Sequence, residues 1–267
     1  MNPFLRPLNR AAAAFNDLSL WKGGCQVWGQ KMTSPGFERW LYLRAHRLGL
    51  MGRQERRFLE QHIRPGMRVL DVGSNLGLYS VLMAKQTGPK GRVICFEPDT
   101  DLFGSFQKNC RLNGVDWIEG HNLALGSRPA RLTLHKMIIN SGDNHLGQKS
   151  GALFRHSVEI DVVALDEFLP DLRVDFVKID IQGWELEAFR GMQKTLAAQP
   201  AVQVYFEFFP DIYQRSGTTY RDLIDFLHDA GFRISDPETG KSLGHADLIR
   251  LAESMRGMKY TNLLATR

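Results

Sequence analysis

The sequence predicts an α/β protein in which a mostly parallel β-sheet is flanked by helices. Three observations support this fold class. Short apolar runs typical of buried strands alternate with segments whose apolar residues recur every three or four positions, as in amphipathic helices. A glycine-containing turn links the first apolar run to a helix, and an acidic residue ends the second run. Because parallel strands need crossover connections, this alternation favours a doubly wound α/β domain.

The predicted strands are apolar runs or alternating patterns bounded by glycine, proline or polar residues. The first two, 69–72 and 92–96, are mostly apolar, as expected of central parallel strands. The later strands, in chain order, cover 117–125, 131–137, 158–164, 174–180, 201–209, 232–234 and 259–266. Residues 138–157 are polar and contain glycine, which predicts a loop.

The predicted helices carry an apolar stripe and end at glycine, proline or polar residues. Asp99 or Thr100 can cap the helix over 99–112, and Asn113 with Gly114 ends it. The other helices, in chain order, cover 37–50, 54–63, a segment starting at 76, 165–170, 185–196, 220–230 and 245–255. For residues 1–35 the sequence predicts an irregular N-terminal segment that contains one short helical pattern.

The length and composition fit one such domain with an N-terminal extension. The chain has 267 residues, of which 43% are hydrophobic and 24% charged, as is ordinary for a globular protein. We place a basic, mostly helical extension at residues 1–53 and the α/β domain at 54–267. No apolar run approaches the roughly 20 residues of a membrane span, and the start lacks the apolar core of a signal peptide. The cysteines, Cys25, Cys95 and Cys110, form no paired framework, so we expect a reducing, cytoplasmic environment.

Positive charge is concentrated near the N-terminus. Residues 1–68 contain 12 Lys and Arg and 4 Asp and Glu, a net charge of +8, whereas the whole chain has +5. Residues 69–267 therefore have a net charge of −3 (+5 minus +8). The basic region could dock an acidic glycan, a membrane surface or RNA, or it could be a solvated helical face. Because its basic residues are not interleaved with aromatic ones, a nucleic-acid partner is not favoured.

The turn after the first strand reads Asp71-Val72-Gly73-Ser74-Asn75-Leu76-Gly77. Glycine lets the backbone approach a ligand closely, and the following helix directs its N-terminal amides to the same place. A dinucleotide fingerprint would need glycine at Asn75, and a P-loop would need Lys and Ser or Thr where Leu78 and Tyr79 stand. S-adenosylmethionine (SAM), which has a ribose and a carboxylate but no phosphate, fits better; the alternative is a tight turn without a ligand. The cofactor-binding candidates in the turn are Asp71, Gly73, Ser74, Asn75 and Gly77.

The second strand ends at Glu97, 20 positions after Gly77. An acidic residue at this place can accept hydrogen bonds from both hydroxyls of a ribose. Pro98 favours an extended Glu97 and ends the strand, so both residues are cofactor-binding candidates. The alternative is a solvated loop carboxylate. Because ligands of doubly wound sheets bind at the carboxyl ends of strands, Asn122 and Ala124 are candidates for the adenine side.

Short motifs spread over residues 54–267 complete the pattern. They are Pro65-Gly66, the turn from Val69 to Gly77, Phe96-Glu97-Pro98, Asn122-Leu123-Ala124-Leu125, Asp166-Glu167-Phe168, Asp175-Phe176-Val177-Lys178-Ile179-Asp180, Gly183-Trp184-Glu185 and Asn262-Leu263-Leu264. With these motifs the chain resembles the FkbM family of SAM-dependent methyltransferases. The resemblance implies the Rossmann-like, seven-stranded sheet of class I methyltransferases, whose last strand is antiparallel. It also implies O-methylation of a hydroxyl on a small molecule, sugar or glycan. The sequence departs from the family at Gln182, where members usually have Glu.

Methyl transfer to a hydroxyl needs a group that positions the acceptor and takes up its proton. Asp180 follows an apolar strand at the carboxyl edge of the sheet, so it is our first choice for this role. We expect Lys178, on the same strand face, to pair with a carboxylate. His145 is a competing base in the polar loop, and Glu207 can converge on the same place. A divalent metal held by Asp143, Asp180 and Glu207 is an alternative that we do not favour, because no tight carboxylate cluster is visible.

Two other functions stay open at this point. An RNA methyltransferase would use the basic N-terminal region, whereas Gln182 slightly favours a SAM-binding protein without catalysis. The motifs do not specify the acceptor, because specificity depends on the loop over 138–157 and on the N-terminal region. We expect residues 1–53 to influence acceptor choice or docking without building the cofactor site.

Overall fold

The computed structural model describes residues 24–137, 146, 154–255, 257 and 259–267. Its helices are α1 (Phe37–Leu48), α2 (Arg53–His62), α3 (Leu78–Thr87), α4 (Thr100–Asn113), α5 (Leu165–Phe168), α6 (Glu185–Gly191), α7 (Gln193–Ala197), α8 (Tyr220–Asp229) and α9 (His245–Ser254), with a 3-10 helix over Pro210–Ser216. Its strands are β1 (Cys25–Val27), β2 (Gln30–Met32), β3 (Arg68–Val72), β4 (Arg92–Phe96), β5 (Ile118–His121), β6 (Ala124–Leu125), β7 (Ala130–Met137), β8 (Phe154–Val163), β9 (Phe176–Ile179), β10 (Gln203–Phe208), β11 (Arg233–Ser235), β12 (Ser242–Leu243) and β13 (Thr261–Thr266). None of the described helices has the length and hydropathy needed to cross a membrane.

Eight strands form the central sheet, in the order β12-β11-β13-β10-β9-β3-β4-β5. The strands from β10 to β5 in this order run parallel to one another, while β13 is inserted antiparallel between β10 and β11. This arrangement confirms the predicted α/β fold with an antiparallel last strand. The sheet has one strand more than the predicted seven, because the two-residue β12 extends its edge as a hairpin with β11.

The central strands are buried on both faces of the sheet. In β3, Leu70 and Val72 belong to one core cluster, whereas Val69 belongs to the cluster on the opposite face. Successive side chains of a strand point to opposite faces, so both faces of β3 need apolar partners. Helices α6, α8 and α9 supply them on the first face, and α2, α3 and α4 on the second. This two-sided burial explains why apolar residues in β3 do not simply alternate with polar ones.

The predicted strand over 117–125 is two strands in the structure. β5 ends in the central sheet at His121, and β6 pairs with β8 in a second, three-stranded sheet with the order β6-β8-β7. The chain leaves the central sheet at Asn122, whose Nδ2 donates to the carbonyl oxygens of Glu97 and Pro98, at 2.8 and 3.0 Å. Both pieces have the composition of strands, so the sequence pattern did not reveal the change of sheet.

A hairpin replaces part of the predicted irregular N-terminal segment. β1 and β2 pair antiparallel around Trp28 and Gly29, whose φ angles are 53° and 75°. Positive φ at both positions is what a two-residue hairpin loop of this kind requires. The hairpin was missed because Asn or Asp, not Trp, usually precedes the glycine in such loops. The predicted helix over 185–196 is likewise divided, at Met192, into α6 and α7.

Asn109 ties the N-terminal segment to the α/β domain. Its side chain on α4 is fully buried. Nδ2 donates to the carbonyl oxygens of Thr33 and Leu76, at 3.0 and 2.8 Å, and Oδ1 accepts from the Thr33 amide at 2.7 Å. One side chain thus joins the segment after β2 to the glycine turn. The described part of residues 1–53 packs on the domain, and the domain boundary after residue 53 stays a prediction.

Replacing Asn109 with Ala is expected to lower the free energy of unfolding by roughly 2–4 kcal/mol, because the buried carbonyl of Leu76 and the partly buried backbone groups of Thr33 lose their partners. Urea denaturation followed by circular dichroism measures the change. Lys108, exposed on the same helix, provides the control variant Lys108→Ala, which should change stability by less than about 0.5 kcal/mol. Equal stabilities of the two variants would contradict the anchoring role of Asn109.

Candidate functional site

A cavity of about 660 Å³ opens at the carboxyl ends of the parallel strands β3, β4, β9 and β10. Its wall contains the residues that directly follow three of these strands: Gly73 after β3, Glu97 after β4 and Asp180 after β9. A volume in this range is typical of sites for small molecules and cofactors. The cavity also lies where doubly wound sheets bind their ligands.

The glycine turn packs tightly against two neighbouring strand ends. Gly73 has a φ of +87°, and a Cβ atom at this position would lie 2.1 Å from the carbonyl oxygen of Asp180. The amides of Gly73 and Ser74 both donate to the carbonyl oxygen of Phe96, at 3.0 and 3.1 Å. The turn is therefore held between the ends of β9 and β4, where a residue without a side chain is needed.

Glu97 fixes the same turn through its side chain. Oε2 accepts a hydrogen bond from the amide of Asn75 at 2.7 Å, and Oε1 accepts one from the amide of Asp99 at 2.9 Å. Burial raises the pKa of Glu97 to about 7; the charge of Asp99 adds to this, while the two amide hydrogen bonds oppose it. Each carboxylate oxygen has a second lone pair with which it can accept from a ligand hydroxyl.

A row of charges, buried at Asp71 and Lys178, connects the glycine turn with the end of β9. Asp71 Oδ2 accepts from Ser80 Oγ at 2.6 Å, and its Oδ1 lies 3.8 Å from Lys178 Nζ, which also donates to Asp180 Oδ2 at 3.4 Å. Burial raises the pKa of Asp71, and the Lys178 charge opposes this. Burial alone would lower the pKa of Lys178, but the carboxylates of Asp180 and Asp71 outweigh it and raise the pKa, so the lysine stays charged. The predicted pairing of Lys178 with a carboxylate is confirmed.

Asp180, Gln182 and Glu207 form what we call the acidic wall of the cavity. Gln182 Nε2 donates to Glu207 Oε2 at 2.7 Å and to Asp180 Oδ1 at 3.3 Å. The side chain of Asp180 is 39% exposed, and the residue lines the cavity. Two carboxylates that would repel each other are thus bridged by an amide that donates to both. An ionised Glu at position 182 has no proton to donate and could not form this bridge.

The structure brings most of the predicted site residues to this cavity. Those in its wall are Asp71, Gly73, Ser74, Asn75, Glu97, Pro98, Ala124, Asp180 and Glu207. Gly77 is not among them, because it precedes α3 with its open side facing Phe106. Asn122 is also absent from the cavity wall, because its side-chain amide donates to the carbonyl oxygens of Glu97 and Pro98.

The competing base and the metal alternative stay predictions. His145 and Asp143 lie outside the described residues. Within the part of the chain that the structure describes, no group of three His, Cys, Asp or Glu side chains could hold a metal ion. The acidic wall supplies two carboxylates, Asp180 and Glu207, that already share an amide donor.

Sequence reasoning missed the contribution of α1. Arg39, Tyr42 and His46 line the same cavity as the glycine turn. The buried residues of α1 are Arg39, Leu43 and His46, which recur at spacings of four and three and so share one face. The spacing of these three residues could be read from the sequence. It did not indicate a buried face, because two of the three residues are polar. Helix α1 therefore lines the cavity, and the expectation that residues 1–53 do not build the cofactor site stays a prediction.

Comparison with known proteins points to one family. The sequence model of the methyltransferase FkbM domain matches residues 71–234, which is more than half of the chain. Methyltransferase 1 of Beauveria bassiana is 28% identical over 144 residues, which cover 46% of this chain and 57% of that protein. The hexuronic acid methyltransferase AglP of Haloferax volcanii is 27% identical over 127 residues, which cover 47% of this chain and 50% of that protein. The chain thus spans about half the length of these relatives. Among solved structures, a SAM-dependent O-methyltransferase of Thermotoga maritima matches at 12% identity with a TM-score of 0.49, covering 89% of this chain and 77% of that one.

Two glycine variants distinguish the cost of backbone strain from the cost of a steric clash between a new Cβ atom and its neighbours. Gly73 and Gly66 have similar φ angles, +87° and +85°, but a Cβ at Gly66 meets nothing within 4 Å. Gly66→Ala should cost roughly 1–2 kcal/mol of stability from strain alone. Gly73→Ala should cost at least about 2 kcal/mol more and abolish SAM binding, because the new Cβ displaces the Asp180 backbone. Denaturant titration and calorimetry with SAM measure both effects, and equal behaviour of the variants would argue against a tight turn.

The affinity for SAM should rise with pH if ribose hydroxyls bind the Glu97 carboxylate. A carboxyl whose pKa is about 7 is mostly protonated at pH 6 and mostly ionised at pH 8. Binding that needs the ionised form should therefore strengthen by about tenfold over this interval and release a proton. Calorimetry in two buffers of different ionisation enthalpy measures both quantities. In Glu97→Gln the affinity should be lower and its slope with pH smaller; an unchanged slope would assign the titration to another group.

Proposed function

This chain belongs to the FkbM methyltransferase family, and we propose that it transfers the methyl group of SAM to a hydroxyl of a small molecule, sugar or glycan. One observation carries the proposal: the Glu97-bound glycine turn and the acidic wall face the same cavity. The first fits a donor that contains a ribose, and the second fits an alcohol that must lose a proton.

The donor side of the cavity fits SAM. Glu97 would accept hydrogen bonds from the ribose hydroxyls, and apolar residues from Leu123 to Leu125 line the cavity beside it. Two buried polar atoms in the wall, Asp71 Oδ1 and Ser74 Oγ, have no hydrogen-bond partner among the described residues. Buried polar atoms of this kind are normally satisfied, so a polar ligand at this place explains them. When bound, SAM supplies a methyl group on a sulfonium, which an oxygen nucleophile can accept.

The acidic wall fits the acceptor side. Asp180 stands at a rigid strand end, and Lys178 and Gln182 donate to its two oxygens and so hold its orientation. A carboxylate held in this way can bind the acceptor hydroxyl and take its proton as the oxygen gains the methyl group. Glu207, fixed by the same amide, would bind a second hydroxyl of a polyol such as a sugar. The relative AglP is a hexuronic acid methyltransferase, which also supports a sugar-like acceptor.

The proposed function is tested by methyl transfer from isotopically labelled SAM. The purified chain would be incubated with free sugars, uronic acids, small alcohols and RNA, and label in each acceptor would be counted. Label in a hydroxyl-bearing small molecule or sugar is the expected result. Label in RNA would favour the RNA methyltransferase instead. Tight SAM binding with no label in any acceptor would favour the non-catalytic alternative that Gln182 raised.

Asp180→Asn should lower kcat/KM by at least about 100-fold, because the amide cannot take up the proton of the acceptor. The affinity for SAM should change little, since the substitution keeps the side-chain volume. Initial rates on the verified acceptor and calorimetry with SAM separate the two effects. Asp116→Asn, an exposed position outside the cavity wall, is the matched control and should behave as wild type. Near-normal turnover of Asp180→Asn would move the catalytic role to another residue, first of all His145.

A further inference from the structure

Arg39 carries a buried charge that the described part of the protein leaves without a close partner. The residue is 1% exposed, and Nε, Nη1 and Nη2 make no hydrogen bond to any residue that the structure describes. The nearest carboxylate contact is a 3.6 Å ion pair between Nε and Glu38 Oε1, beyond hydrogen-bond reach. The guanidinium also lies over the ring of Tyr42, 5.2 Å from its centroid.

Such an arrangement is unfavourable unless an anion binds there. A guanidinium stays protonated in proteins and has five N–H donors, so burial cannot be relieved by losing the charge. Buried cations are therefore normally paired and hydrogen-bonded. The face of the guanidinium meets Tyr42, but its edge donors are the groups that recognise carboxylates in pairs. The chemistry of the residue thus calls for a carboxylate ligand.

The contacts of α1 place Arg39 beside the glycine turn. His46 Nε2 lies 3.4 Å from Tyr79 Oη in the first turn of α3, and Leu43 packs with Leu76 and Leu78. Arg39 lies one helical turn before Leu43 on the same face of α1. Its charge also acts on Glu97, whose pKa burial raises and Arg39 lowers in part. Arg39 therefore lines the donor side of the cavity.

The other cations in the described wall are not available for an anion in the same way. Lys178 is shared between Asp71 and Asp180. Burial lowers the pKa of His46, which keeps its ring neutral, and Arg53 is exposed to solvent. Arg39 is thus the buried cation that remains for an anionic ligand. SAM has a single anionic group, the α-carboxylate of its methionine part.

We propose that Arg39 binds the α-carboxylate of SAM and that α1 thereby completes the donor site. This inference rests on SAM as the methyl donor and adds a residue that the sequence motifs do not contain. A carboxylate on the acceptor, such as that of a uronic acid, has the same chemistry and is the competing source. The side of the cavity on which Arg39 lies favours SAM.

The test is a thermodynamic cycle that removes the guanidinium and the carboxylate separately. Calorimetry would compare SAM with decarboxylated SAM, which lacks only the carboxylate, on the wild-type chain and on Arg39→Met. Wild type should prefer SAM by at least about tenfold, and Arg39→Met should bind the two compounds within about twofold of each other. Arg47→Met removes the same charge from the exposed side of the same helix and should keep the wild-type preference.

The stability of the ligand-free Arg39→Met variant is a second measurement. It distinguishes a ligand-binding role of Arg39 from a structural one. If Arg39 serves a ligand, Arg39→Met should leave the ligand-free protein as stable as wild type or more stable, because a buried cation without hydrogen-bonded partners is removed. A clear loss of stability with equal weakening of both compounds would overturn the proposal in favour of a packing role.

Three further outcomes are distinguishable. If Arg39→Met keeps the preference for SAM, the proposal is overturned. If in addition the variant raises KM for a uronic acid but not for its methyl ester, the carboxylate belongs to the acceptor. If the wild-type chain binds neither compound, the proposed function itself fails, and the inference fails with it.

Discussion

The register of three parallel strands is the constraint on which the site depends. Val72 of β3 is paired with Phe96 of β4 on one side and with Ile179 of β9 on the other. The next residue of each strand is therefore brought to the same edge of the sheet, and these residues are Gly73, Glu97 and Asp180. If the pairing of β3 with β4 or with β9 were shifted by one residue, a side chain that now lines the cavity would point into the core instead. Backbone hydrogen bonds thus decide which side chains meet, before any ligand is considered.

The charged side chains at this edge are arranged in two groups. Asp71, Lys178 and Asp180 form a row in which one cation lies between two carboxylates. Asp180 and Glu207 are joined through Gln182, which acts as a neutral donor between two acids. Burying carboxylates is unfavourable unless donors satisfy them. Asp71 accepts a hydrogen bond from Ser80, and Glu207 accepts one from Gln182. The bridge also gives the Gln182 side chain a physical role.

The N-terminal segment closes the cavity that the sheet leaves open. Asn109 holds the chain after β2 against the glycine turn, and α1 then runs over the first turn of α3. The face of α1 that meets the domain carries Arg39 and His46 as well as Leu43. Polar side chains are poorly suited to a purely apolar interface. Arg39 and His46 instead line the cavity, where a ligand can contact them. The cavity is therefore lined by two parts of the chain that are distant in sequence.

The sequence by itself determined the α/β fold, the glycine turn, Glu97 at the second strand end and Asp180 at the end of the predicted strand over 174–180. Each of these depends on local patterns: apolar runs, a glycine spacing, or a polar residue directly after a strand. The hairpin at Trp28 and Gly29, the change of sheet at Asn122 and the cavity face of α1 were decided only by the tertiary structure. So was the use of Gln182, which donates to Glu207, a residue 25 positions away. These features depend on hydrogen bonds and packing between residues far apart in the chain. A periodic pattern indicates which face of an element is buried, but it does not indicate which residues pack against that face.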